Sequence, residues 1–112
     1  MFHLRGLGGA AARVAPDATA FAHRERKYFV SIINVWLDPS DNPETHKAWT
    51  DSLWDKIKGE GNGVYVNFLE REGDARIHEA YPGKTYERLV DIKTMYDPEN
   101  LFQFNQNIQP RG

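Results

Sequence analysis

Tyr65 and Asn67 are the two residues of this chain whose types and spacing best suit chemistry on a small molecule. They stand two apart in Val64-Tyr65-Val66-Asn67-Phe68, a β-branched and aromatic run that reads as a strand over 64–69. Side chains two apart on a strand leave the same face roughly 7 Å from each other, so Val64, Val66 and Phe68 would point into the opposite layer. A phenol beside an amide can hold a flat heteroaromatic ligand and a hydroxyl-bearing substrate. The plainer alternative is a tyrosine whose hydroxyl is simply hydrogen-bonded at a sheet edge.

Other chemistries find less support. His3, His23, His46 and His78 have no pairwise spacing that suits a metal, and no carboxylate stands at a motif distance from them, so no metal site is expected. The absence of cysteine excludes thiolate ligands, thiol catalysis and disulfides within these residues. Gly59-Glu60-Gly61-Asn62-Gly63 has the glycine content of a phosphate loop, but it follows a helical pattern and precedes a strand-like one. Phosphate cradling needs the reverse order, so the segment reads as a flexible connector. His23-Arg24-Glu25-Arg26-Lys27 reads as a charged, solvated corner.

The elements that must position Tyr65 and Asn67 are legible around them. Residues 4–22, rich in Gly and Ala, suggest short strands joined by turns. Residues 28–37 form the clearest strand, with Tyr28, Val30, Ile32, Asn34 and Trp36 on one face and Phe29, Ser31, Ile33, Val35 and Leu37 on the other. Both faces are largely apolar and both need a cover. Asn42 is a good N-cap with Pro43 at the first helical position, and Trp49, Leu53, Trp54 and Ile57 recur at helical spacing, the two tryptophans as core, until Gly59 and Gly61 stop the helix. Arg71-Glu72-Gly73-Asp74 and Pro82-Gly83 read as turns. A second helix over 85–96 presents Tyr86, Leu89, Val90 and Ile92, and Asp97-Pro98 ends it, because the residue before proline is pushed out of the α region. The tail over 101–112 is expected to fray unless something holds it. The fold class is α+β, a small antiparallel sheet packed with two main helices, in one domain spanning residues 1–112.

Composition bounds the partners. Fourteen basic side chains against sixteen acidic ones leave a net charge of -2, which makes nucleic acid a poor partner. No apolar run approaches the roughly 20 residues that span a bilayer, and Met1-Phe2-His3-Leu4-Arg5-Gly6-Leu7 lacks the apolar stretch of a secretory signal. The chain therefore reads as soluble and cytoplasmic, with no membrane partner. At 112 residues it can build one modest core, yet three Trp, five Tyr and six Phe are a heavy aromatic load, and some are expected to serve an interface.

Tyr65-Val66-Asn67-Phe68, Tyr86-Glu87-Arg88-Leu89 with Lys93, and Tyr96-Asp97-Pro98-Glu99-Asn100-Leu101-Phe102 followed by Asn105-Gln106-Asn107-Ile108 together resemble the closing part of the berberine-bridge-enzyme-like FAD-linked oxidases. The likeness runs from Gly8-Gly9-Ala10 to that Asn-Gln-Asn-Ile close, and it implies the C-terminal segment of a flavin oxidase substrate domain. It implies that Tyr65 acts as catalytic base on a substrate hydroxyl while a hydride passes to the flavin. It further implies that Asn67 lies beside the flavin, with Asn105 in the returning tail near the cofactor-binding domain. A phenol with an ordinary pKa of about 10 is a poor base at neutral pH, so that role needs a positive neighbour or an ordered hydrogen bond that favours phenolate.

In the family the residues that grip the dinucleotide lie upstream, and none of them is in these 112 residues. The expectation is therefore that FAD is held only with a flavin-binding domain or partner subunit, that the chain alone binds none, and that the substrate is a hydroxylated small molecule. Two alternatives remain open: a stand-alone oligomerising or ligand-binding α+β module, whose partner is its own copy through self-association, and a small α+β barrel monooxygenase.

Overall fold

The computed structural model describes residues 1–69 and 73–112. Within them the architecture is α+β: β1 (Phe2–Gly6), β2 (Tyr28–Ile32), α1 (Pro43–Ile57), α2 (Asp74–Ala80) and α3 (Lys84–Tyr96), with 3-10 turns at Ala11–Arg13, Lys58–Glu60 and Val66–Phe68. The backbone groups into two compact units, one of Met1–Leu7 with Arg26–Asn62 and one of Gly8–Glu25 with Gly63–Gly112.

In the first unit β1 and β2 pair antiparallel, with Phe2 opposite Ile32, His3 opposite Ser31 and Leu4 opposite Val30. The side-chain alternation of a strand is visible in β2: Ser31 is 8% exposed, whereas Tyr28 and Val30 lie open. The strand expected over 28–37 is regular only to Ile32. Beyond Ile33 the chain is tied to α1 instead, because Asn34 Nδ2 donates to the His46 carbonyl at 2.8 Å and to Thr50 Oγ1 at 3.3 Å. The expected strands over 4–22 reduce to β1 and one 3-10 turn. Among the described residues the sheet has two strands.

The α1 start is as the sequence implies: Pro43 is the first helical residue, and Asn42 Oδ1 accepts the Glu44 N–H at 3.0 Å. Its tryptophans are a correction. The half-buried stripe is His46, Thr50, Leu53 and Ile57, a row of 3.6-residue periodicity, and Trp49 and Trp54 flank it at 49% and 40% exposure instead of filling a core. Trp36 stacks on the His46 ring, centroids 5.0 Å apart, and His46 faces Asp41 at 3.4 Å.

The second unit contains a helix that the sequence conceals. Arg71 and Glu72 of the expected turn lie outside the described residues, but Gly73 and Asp74 open α2, whose Ile77 and Ala80 are the buried apolar residues among those described. His78 packs its ring on Tyr86 of α3 at 4.1 Å. The run over 64–69, expected as a strand, is a 3-10 turn: the Phe68 N–H donates to the Tyr65 carbonyl at 2.9 Å and the Leu69 N–H to the Val66 carbonyl at 3.1 Å. Backbone donors and acceptors must be satisfied somewhere, and here they close on one another rather than on a neighbouring strand.

The tail does not fray. Buried Asp97, just past α3, accepts the Leu101 N–H at 2.8 Å and the Phe102 N–H at 3.0 Å while paired with Lys93, which also donates to the Phe102 carbonyl at 2.7 Å. Further on, Arg111 bonds Asp91 Oδ1 through Nε and Nη2, and its own N–H donates to Thr94 Oγ1. Among the described residues no helix is long and apolar enough to cross a membrane.

Candidate functional site

The 3-10 turn brings Tyr65 and Asn67 together more closely than a strand would: Asn67 Nδ2 donates to the Tyr65 hydroxyl oxygen at 2.8 Å. Tyr65 is the residue before the turn, in extended conformation, and its ring is held edge-on by Phe21 (5.7 Å, 89°) and tilted against Phe68 (5.7 Å, 46°). Asn67 is exposed.

Asn67 and Asn105 line one open cavity of about 670 Å³, with Val66, Leu69, Tyr81, Phe104 and Gln106. The returning tail reaches it because Gln106 Nε2 donates to the Leu69 carbonyl at 2.8 Å. Asn105 sits at φ 60°, in the left-handed region that asparagine tolerates better than most side chains, and the bend turns the tail back on itself, with the Asn107 N–H donating to the Asn105 carbonyl at 3.1 Å. Tyr65 itself is outside the lining set, and Asn67 is the link between the phenol and the cavity.

Reading the sequence missed Tyr81, Phe104, Gln106 and Phe21. Tyr81 follows α2 and precedes the Pro82-Gly83 turn, a place where a phenol held between a helix end and a turn could have been suspected. Burial pushes the Tyr81 phenol up from its ordinary pKa, and the nearby Tyr65 adds to the shift. Tyr81 therefore stays protonated at neutral pH and offers an O–H donor at the cavity. His23 and Arg24 are also not the solvated corner expected: Arg24 donates to the Phe21 carbonyl and to Thr19 Oγ1, and its guanidinium lies over the Phe21 ring, 5.3 Å from the centroid.

The described lining carries groups of the kind that the ring of FAD would meet. Three amides, a phenol and an exposed phenylalanine suit a flat, uncharged ring system with donors and acceptors on its edge. Among the described residues, no lysine, arginine or histidine lines the cavity. Among the described residues, the buried oxygens Asn107 Oδ1 and Asn100 Oδ1 have no hydrogen-bond partner. Among the described residues no three His, Cys, Asp or Glu side chains converge as metal ligands.

A family model described as berberine and berberine like matches residues 64–109, the stretch that contains Tyr65, Asn67, Tyr81 and Asn105. The chain is 39% identical over 106 residues to an uncharacterized FAD-linked oxidoreductase, YgaK, of Bacillus subtilis, covering 95% of this chain and 23% of that protein. It is 29% identical over 112 residues to a chitooligosaccharide oxidase of Gibberella zeae, covering 96% of this chain and 23% of the relative. A berberine bridge enzyme-like 1 protein of Arabidopsis thaliana is 29% identical over 118 residues, covering 90% and 22%. The chain spans about a quarter of the length of these relatives. With the motifs in order, the match over 64–109 and relatives aligned over nearly its whole length, the chain belongs to the berberine and berberine-like family.

Proposed function

We propose that residues 1–112 serve as the C-terminal segment of the substrate domain of an FAD-dependent oxidoreductase that oxidises a hydroxylated small molecule. The observation that carries this reading is the Asn67 bridge: one amide bonds the Tyr65 phenol and lines the cavity shared with Asn105. Tyr65 takes the proton of the substrate hydroxyl as the neighbouring C–H bond breaks, and a carbonyl forms. Asn67 supports negative charge on the phenol oxygen by donating its N–H, and Tyr81 supplies a second donor at the cavity. Asn67, Asn105 and Gln106 would meet the polar edge of the flavin ring and Phe104 its face, while the diphosphate is gripped by a flavin-binding domain or subunit outside these residues. FAD, when bound, supplies the acceptor for the hydride. A sugar-like substrate is supported by the relative named a chitooligosaccharide oxidase. The cytoplasm is the expected compartment.

Purified alone, the chain should be colourless and should not turn over alcohols. Joined to its flavin-binding portion, or mixed with that portion as a subunit, it should confer turnover that neither part has. A yellow, FAD-retaining chain in isolation would contradict the division of labour.

A second reading has its own observation. Leu101, Phe102 and Phe104 lie on the surface, the last two at 81% and 86% exposure. Self-association would cover them. A stable homo-oligomer that never accepts a flavin portion would favour that reading.

A further inference from the structure

We infer that His23 is a positioning residue for Tyr65, acting through Gly63 and Phe21 as a brace that sets the direction of the phenol. The His23 Nε2 lies 3.0 Å from the Glu79 carbonyl of α2. A carbonyl only accepts, so Nε2 carries the hydrogen and the ring is oriented by that bond. The ring then lies flat against the backbone at Gly63: a Cβ built there would stand 2.3 Å from Cε1, 2.6 Å from Nδ1 and 2.9 Å from Nε2. Gly63 also has φ 77°, so the position needs glycine for its backbone and for its room. Two residues on is Tyr65. From the other side, Phe21 touches both rings edge-on, the His23 ring at 6.2 Å and the Tyr65 ring at 5.7 Å. Phe21 is itself fixed, because Arg24 Nε donates to its carbonyl at 3.1 Å and the guanidinium covers its ring. Thus the end of α2, the 19–24 loop and the start of the Tyr65 turn are clamped by one imidazole. Deleting that ring removes both the stop behind Gly63 and one ring partner of Phe21, and the phenol loses its fixed direction relative to Asn67.

The effect on rate rests on Tyr65 being the base; the geometry does not. A base misplaced by a fraction of its hydrogen-bond reach loses rate rather than binding. His23→Ala, Phe21→Leu and Gly63→Ala should each lower kcat about tenfold with KM changed less than about threefold. His23→Gln, whose amide N–H can reach the same carbonyl, should recover most of the loss. The variants are made in the chain together with its flavin-binding portion, and Tyr65 is also read directly by NMR of isotope-labelled tyrosine, its signal assigned through Tyr65→Phe. The Tyr65 signal should move in His23→Ala and return in His23→Gln. An unmoved Tyr65 signal and an unchanged kcat in both His23→Ala and Phe21→Leu would overturn the brace. A Tyr65 signal that moves in an enzyme where Tyr65→Phe is fully active supports the brace and removes Tyr65 from catalysis, so the two claims fail separately. Phe21→Leu, the milder change, keeps the test usable if His23→Ala does not fold.

Discussion

Asp97 is the residue on which the returning tail depends. Its carboxylate takes the Lys93 ammonium and two backbone N–H groups at once, and these, Lys93 first, hold its pKa below the usual carboxylate value against the opposing effect of burial. A folded pKa below the unfolded one means that the stabilisation is in full force above about pH 4 and is lost as pH falls through the folded value. The protection of the Leu101 and Phe102 amides against hydrogen exchange, taken relative to the intrinsic rate at each pH, should therefore hold from neutrality to about pH 4 and fall only below it. Asp97→Asn should make both amides exchange fast at every pH and lower the melting temperature by several degrees, since the remaining amide sets an N–H against the Lys93 ammonium. Tyr65, Asn67 and Asn105 were named by the resemblance of their motifs, and the structure adds what motifs do not encode: the Asn67 to Tyr65 bond is local, whereas the cavity that joins Asn67 to Asn105 depends on a tail bend of nearly 40 residues' separation, tied by Gln106 to the Leu69 carbonyl.

Among the elements, α1 and α3 were legible because their ends are written in the sequence: Asn42 and Pro43 open one, and Asp97-Pro98 closes the other. The cap is testable. Asn42→Ala should cost about 1 kcal/mol of stability in thermal unfolding, with no change in oligomeric state. A loss well below that would mean that α1 is held by its contacts with the 34–36 segment rather than by its cap. The short α2 was illegible because seven residues with one Ile and two Ala, and no capping side chain, give neither periodicity nor a start signal. The 64–69 run failed in the opposite way. Its alternation is a true strand pattern, but strands need ladder partners, and among the described residues its backbone bonds to itself in a turn. The tryptophans of α1 mislead for a related reason: they recur near helical spacing, yet the half-buried row is set one position away, from His46 to Ile57.

At the scale of the whole molecule, two features point the same way. The buried apolar set among the described residues is Ile77 and Ala80, while Leu37, Phe102 and Phe104 lie almost bare. The relatives are about four times as long as this chain. Both support the proposal that another portion of the protein covers these side chains and completes the site. The central claim is that this chain brings the base, Tyr65, to a flavin held by another portion of the protein. Its most direct test is anaerobic bleaching of the bound flavin by substrate in the completed enzyme, comparing the parent with Tyr65→Phe. The account predicts that the variant keeps its yellow colour before substrate is added and bleaches about a hundredfold or more slower than the parent. Bleaching at the parental rate by Tyr65→Phe would contradict it.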